Sequence, residues 1–185
     1  IAGRNRDCGA PLAEQKSRLA EALQQLDLLA GREGVTVGLE MMNRYECDFL
    51  YTIAEGMAYL DGIGGLTHTM LHIDTVSMNI SEGDIGAAIR AGRGRIGHVH
   101  LCDNDRCYPG HGHYNFAETL QALNDIGYTG ALALEEKPLP DTRTAARPSL
   151  AYLRAALGAL RSCAGAVPGQ GPAGPVKMRA RVPYP

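Results

Sequence analysis

The chain has no apolar run approaching the roughly 20 residues a membrane-spanning helix requires, and nothing at its start resembles a secretory leader. It has no charge bias either. Eighteen Lys and Arg stand against 20 Asp and Glu, for a net charge of -2 and a pI near 6.3. That balance provides no electrostatic footprint for nucleic acid. Cysteine is sparse and unpaired: Cys8, Cys47, Cys102, Cys107 and Cys163 are odd in number and lack the paired spacing of a zinc knuckle. Free thiols in a reducing compartment are the expectation. Hydrophobic residues at 45% and charged residues at 21% are ordinary for a globular domain. Composition alone thus predicts a soluble, cytoplasmic protein with neither a membrane nor a nucleic acid as partner.

Four strand-like segments each end in a residue able to bind a hard metal ion: Glu40, Asp74, His100 and Glu135. Their separations of 34, 26 and 35 residues match consecutive βα units, since eight such units fill about 250 residues, or roughly 31 each. Parity supports the pattern, because side chains along a strand alternate between faces. Glu40 shares a face with Gly38 and Thr36, Asp74 with His72, His100 with His98, and Glu135 with Ala133 and Ala131. The opposite faces carry Val37 and Leu39, Leu71 and Ile73, Val99 and Leu101, and Leu132 and Leu134. A parallel strand covered by helices turns its aliphatic face toward them. Four unrelated strands with polar ends would not be expected to keep the same parity. The spacing predicts strands near 35–41, 69–75, 96–102 and 131–136, with one donor at the carboxyl end of each, where barrels of this kind place their chemistry.

Helical spacing fills the intervals. Leu12, Leu19, Leu23, Leu26 and Leu29 precede the first strand; Ile53, Met57 and Leu60 follow it; Ile85 and Ile89 follow the second. Asn115, with Glu118 three residues on, reads as a capping box before Phe116, Leu120, Leu123 and Ile126. Leu150, Leu153, Leu157 and Leu160 give a last helix with Pro148 near its first turn. The order is that of an α/β chain with a parallel sheet. From about Cys163 onward Pro and Gly crowd a stretch without periodicity, which predicts a disordered tail over 163–185 after a folded unit over 1–162.

Four motifs resemble one family. Gly38-Leu39-Glu40-Met41-Met42-Asn43-Arg44-Tyr45-Glu46, His72-Ile73-Asp74-Thr75-Val76-Ser77-Met78-Asn79-Ile80, and Gly97-His98-Val99-His100 with Asp103, Arg106 and Pro109-Gly110-His111-Gly112 are three of them. The fourth is Leu134-Glu135. Together, over about Val35 to Pro140, they are similar to segments of the ketose 3-epimerases. These are sugar isomerases and epimerases of the xylose-isomerase-like TIM barrels, related to the family 2 apurinic endonucleases. The resemblance implies a partial (β/α)8 barrel, about four βα units corresponding to the C-terminal half, as a truncated product or a partial sequence.

The resemblance further implies that Glu40, Asp74, His100 and Glu135 bind one divalent cation (Mn²⁺, Mg²⁺ or Co²⁺). It implies that Glu46 and Arg106 contact the sugar, and that Glu40 and Glu135 transfer a proton beside a ketose carbonyl through an enediolate. His72, facing the same side, is carried as a substrate contact, with a satisfied interior histidine as the plainer reading. His98 is read the same way. Glu46 paired to Arg44 and Arg106 as an ordinary loop arginine are the plain alternatives for those two. Glu136 must point away from the site, and His111 and His113 are read as exposed. Ser77 stands where the family has a histidine that touches substrate, which opens the question of sugar preference. The partner implied is a small sugar or keto-acid, with a homo-oligomer for a full-length enzyme. Other readings within the same barrel are a hydroxypyruvate-type isomerase or a keto-inositol dehydratase. Further off stand an endonuclease-type DNA hydrolase and an inactive fragment.

Overall fold

A computed structural model describes residues 9–164, so the expected tail over 163–185 and the thiols of Cys8 and Cys163 lie outside the side chains described. In chain order the elements are α1 (Leu12–Glu33), β1 (Val37–Glu40), α2 (Ile53–Ile63), β2 (Thr69–Asp74), α3 (Thr75–Ser81), α4 (Ile85–Ala91), β3 (Ile96–Leu101), α5 (Phe116–Asp125), β4 (Leu132–Leu134) and α6 (Thr142–Ala164). The strands form one sheet in the order β1-β2-β3-β4, with every neighbouring pair parallel. The fold is therefore α/β with a parallel sheet, built from successive βα units. Among the described residues no helix is long and apolar enough to cross a membrane.

Parity divides the sheet as the strand pattern requires. Leu39, Leu71, Ile73, Val99 and Leu101 are fully buried beneath the helices, in one cluster with Leu23, Ile53, Leu60, Ile89, Phe116, Leu120, Leu123 and Leu153. The other face carries Gly38, Glu40, His72, Asp74, His98, His100, Ala133 and Glu135. Register adds what spacing alone lacks. Glu40 sits level with His72, and His72 with His98. Asp74 pairs with His100, and His100 with Ala133, so Glu135 stands two residues further along, just past the end of β4. The donors thus climb from rung to rung across the sheet, the stagger that strand tilt produces in barrels.

Local signals explain where the elements begin. Thr52 and Glu55 form a reciprocal capping box at α2, which the hydrophobic spacing did not mark. At α5, Asn115 accepts from Glu118 N, but Glu118 reaches the Asn115 side chain and not its backbone, so only half of the expected box forms. The expected start of the last helix needs correction. Asp141 accepts from Thr144 N at 2.9 Å and from its hydroxyl at 2.6 Å, nucleating α6 at Thr142. Pro148 therefore lies inside the helix and not in its first turn. The short α3 was also unread: Asp74 ends β2 and caps that helix by accepting from Ser77 N at 3.0 Å. Asp27, buried on α1, accepts from Thr67 N, His68 N and Thr69 Oγ1 at 2.7–3.0 Å, fixing the helix to the entrance of β2.

Candidate metal centre

Glu40, Asp74, His100 and Glu135 each offer one ligand atom, and those atoms lie within 4.8 Å of one another at the carboxyl ends of the strands. Asp74 is buried, Glu40 and His100 are partly buried, and Glu135 is exposed. Burial, with Glu135 adding repulsion, raises the Glu40 pKa above the ordinary value. Burial also raises that of Asp74, against the opposing hydrogen bond from Ser77 N. Glu135 moves the other way, held down first by His100 and then by Arg106 despite partial burial. For His100, desolvation opposes the charged form, but Glu135, Glu40 and Asp74 outweigh it and raise its pKa. His100 Nδ1 lies 3.2 Å from Glu135 Oε2, yet among the described residues the ring nitrogen has no hydrogen-bond partner.

This arrangement passes a test of fit to a cation. Three carboxylates and a buried imidazole nitrogen without a partner converge on one point, a costly grouping unless positive charge or protons offset it. Three oxygens and one nitrogen are also the donor set preferred by Mn²⁺, Mg²⁺ or Co²⁺ over a structural zinc.

Two links bind this cluster to the loops around it. Arg106 donates through Nη2 to both oxygens of Glu46, at 2.8 and 2.9 Å, and its Nη1 lies 3.5 Å from Glu135 Oε2. Glu46 is thus paired with Arg106 and not with Arg44, whose guanidinium donates to the Ile80 carbonyl. Arg106 sits at a φ of 63°, a left-handed conformation that costs a non-glycine residue on the order of 1 kcal/mol or more. Its amide donates to Asp103 O at 2.9 Å, and its carbonyl accepts from Lys137 N at 2.7 Å. Behind the first link stands Asn43, 2% exposed. Its amide donates to Glu46 Oε2 at 2.5 Å while its oxygen accepts from Tyr45 N.

Asp103 organises the second link. Buried to 1% exposure, it accepts from Asn104 N, Gly110 N and Tyr114 N at 2.9–3.0 Å. These bonds and that from Gly112 N override burial and hold its pKa below the usual carboxylate value. Asn43 and Asp103 are the residues that sequence reasoning missed as organisers, although both lie inside quoted motifs. An aspartate ahead of a Gly-rich loop is a turn signal in its own right.

The histidines behind the tetrad form an aromatic cluster. The rings of His72 and His100 lie 4.0 Å apart, and His98 is 4.9 Å from each. His72 is 8% exposed, its pKa is pushed down to about 3 by burial first and then by His100 and His98, and its Nε2 has no partner among the described residues. Its Nδ1 lies 3.8 Å from Glu40 Oε2, so His72 is an interior histidine with one ring nitrogen unpaired among the described residues. Ser77 is buried and gives its amide to Asp74. Glu136 faces α6, where it accepts from Ser149 Oγ at 2.7 Å, and His111 and His113 are exposed.

Comparison with known proteins places this geometry. The family described as xylose isomerase-like TIM barrel matches residues 1–156. An L-ribulose 3-epimerase of Mesorhizobium japonicum is 40% identical over 134 residues, which is 72% of this chain and 45% of that protein. A 3-dehydro-D-guloside 4-epimerase of Escherichia coli is 33% identical over 140 residues, covering 75% of this chain and 53% of its own length. Among solved structures, one of an L-ribulose 3-epimerase superposes with a TM-score of 0.82 at 32% identity, over 92% of this chain and 65% of that one. The chain spans about half the length of the curated relatives it matches.

Proposed function

This chain belongs to the xylose isomerase-like TIM barrel family, and from that premise we propose that it is the metal-bearing part of a sugar epimerase or isomerase. The proposed reaction is proton transfer at a carbon next to a carbonyl. The relatives are named for epimerisation at carbon 3 of a ketose and at carbon 4 of a 3-dehydro sugar, and both carbons adjoin a carbonyl. The observation that carries the proposal is the convergence of Glu40, Asp74, His100 and Glu135 at the carboxyl ends of four parallel strands.

In this reading those four residues hold a divalent cation, which when bound supplies Lewis acidity beside the substrate oxygens. Glu40 at the end of β1 and Glu135, which directly follows β4, are placed by the two outer strands of the sheet. They are assigned to the two proton transfers, one carboxylate oxygen taking the proton and the other glutamate returning one to the opposite face of the carbon. Arg106 and Glu46 donate to and accept from sugar hydroxyls, already held by each other in the same cleft. His72 closes the floor of the site as a neutral imidazole and offers a nitrogen to the substrate. The free thiols of Cys47, Cys102 and Cys107 suit a cytoplasmic setting.

The test is incubation of the Mn²⁺-loaded protein with a 2-ketose in deuterated water. Deuterium at the carbon beside the carbonyl, lost on exhaustive chelation and regained with Mn²⁺ or Co²⁺, is the expected result. Turnover without deuterium incorporation, or undiminished turnover after chelation, overturns the proposal.

A further inference from the structure

The loop that carries Arg106 brings together a second set of donors. Asp105, Cys107 and His111 offer ligand atoms that again lie within 4.8 Å of one another. We propose that these three side chains form a separate site for a borderline divalent cation of the zinc type, which pins the Arg106 loop. The inference does not depend on the reaction catalysed.

Donor chemistry separates the two sites. The tetrad offers oxygen and one imidazole, whereas this set offers a thiol, an imidazole and a carboxylate, a mixture suited to Zn²⁺ and Co²⁺. Three protein donors leave a fourth position for water, as in open zinc sites.

The geometry is close to what such an ion needs. His111 Nδ1 lies 2.7 Å from Asp105 Oδ2. The other carboxylate oxygen, Oδ1, is occupied by Cys107 N at 2.9 Å, so Oδ2 is left to face the imidazole. Bonds of about 2.0–2.3 Å at a tetrahedral angle place neighbouring donors roughly 3.5 Å apart. The carboxylate and imidazole would open slightly, and the thiol, which lies within 4.8 Å of both, would close by at most about 1.3 Å to reach that spacing.

The surrounding backbone is already fixed. Asp103 N donates to Cys107 O at 2.9 Å, and His111 N donates to Tyr108 O at 3.0 Å. Lys137 Nζ donates to Asp105 O at 3.1 Å. The side chains of His111 and Asp105 are 46% and 38% exposed, open enough for an ion to enter.

The consequence lies in Arg106, which stands between two of the donors. Its strained backbone and its guanidinium on Glu46 would be braced on both sides by an ion bridging Asp105 and Cys107. Without an ion, the same residues reduce to a surface Asp–His pair, worth little in water, beside a bystander thiol.

Titration of the full chain with Co²⁺ distinguishes these. Thiolate coordination gives a near-ultraviolet sulfur-to-cobalt charge-transfer band, which a site of oxygens and imidazole cannot produce. The wild-type protein is expected to take up two equivalents, one of them generating the band. Cys107→Ser should abolish the band and one equivalent. His111→Gln should weaken the band-forming equivalent at least tenfold while keeping the thiol, and it carries the test if the cysteine variant misfolds. Asp74→Asn should lose the other equivalent and keep the band. Zn²⁺ in excess should erase the band and Mg²⁺ should not. A band that persists in Cys107→Ser, which would point to Cys102 beside Asp74 or to another thiol, overturns the proposal. So does uptake of a single equivalent that none of the loop variants changes.

Discussion

Replacing Asp103 by Asn tests whether one buried carboxylate holds the loop that presents Arg106. Oδ1 accepts from Asn104 N at 2.9 Å and Tyr114 N at 3.0 Å, while Oδ2 accepts from Gly110 N at 2.9 Å. Asparagine is nearly isosteric but retains one acceptor oxygen, and its amide group is a donor. However the side chain turns, at least one backbone N–H loses its acceptor and faces another donor. A buried group left unpaired costs about 1–3 kcal/mol, and the remaining bonds weaken because they lose charge assistance. The sum is about 2–4 kcal/mol, a large part of the 5–15 kcal/mol typical of a domain. With a urea slope of about 1–3 kcal/mol per molar, the midpoint should fall by on the order of 1–2 M at pH 7. The pH arm has a definite sign. Asp103 has a depressed folded-state pKa, so its stabilisation is complete above the ordinary carboxylate value of 3.8 and is lost as pH falls through the lower folded value. The gap between wild type and variant should therefore close in strong acid. A variant within about 0.5 kcal/mol of wild type at pH 7, or one whose deficit persists unchanged in acid, would refute this account.

Three further outcomes are expected. Gly56→Ala would place a methyl 2.9 Å from Leu71 Cδ2 and closer still to Met41 Sδ, so thermal or urea unfolding should show a loss of about 1–3 kcal/mol by overpacking. Asn43→Ala removes the amide that holds Glu46 against Arg106, and KM for a ketose should rise more than kcat falls; an unchanged KM would remove Asn43 from the positioning role. Glu40→Gln and Glu135→Gln should each lower turnover by about 10²–10⁴-fold, with bound metal measured by elemental analysis. Rescue by excess metal would reduce either residue to a ligand alone.

The sheet was readable from sequence because two independent periodicities agreed. Alternation placed Leu39, Ile73, Val99 and Leu101 on one face, and the intervals between Glu40, Asp74, His100 and Glu135 matched βα units. Their residue types left little else for those strands to do. What was not readable follows from interactions that alternation and helical spacing do not encode. The start of α6 at Thr142 depends on an Asp141 cap that lies outside the leucine period. The α3 helix exists because Asp74 serves both as strand terminus and as helix cap. The ladder irregularity at Leu71 and His72 sets which histidines stand level, and no count of residues in one strand reveals its register against the next. The pairing of Glu46 with Arg106, across 60 positions of sequence, was not foreseen: the sequence left Glu46 between Arg44 and the sugar, and only the placement of the loops after β1 and β3 brings the two together.

These loops make the candidate centre more than a set of strand ends. Glu135 touches His100 on one side and Arg106 on the other; Arg106 holds Glu46, and Glu46 is held by Asn43. The chain of contacts therefore runs from the end of β4 through the loop after β3 to the loop after β1, crossing the cleft. Asp103 fixes the middle of this chain through backbone donors spread from Asn104 to Tyr114. Loosening that anchor should first affect how the arginine meets a substrate, because the strands carrying the four donors are held by the buried aliphatic face and not by the loop. Asp103 substitutions are accordingly expected to impair sugar binding while metal uptake by Glu40, Asp74, His100 and Glu135 persists. Parallel loss of both would mean that the loop and the tetrad form one folding unit, and metal ligands at the strand ends would not be separable from loop-borne substrate contacts.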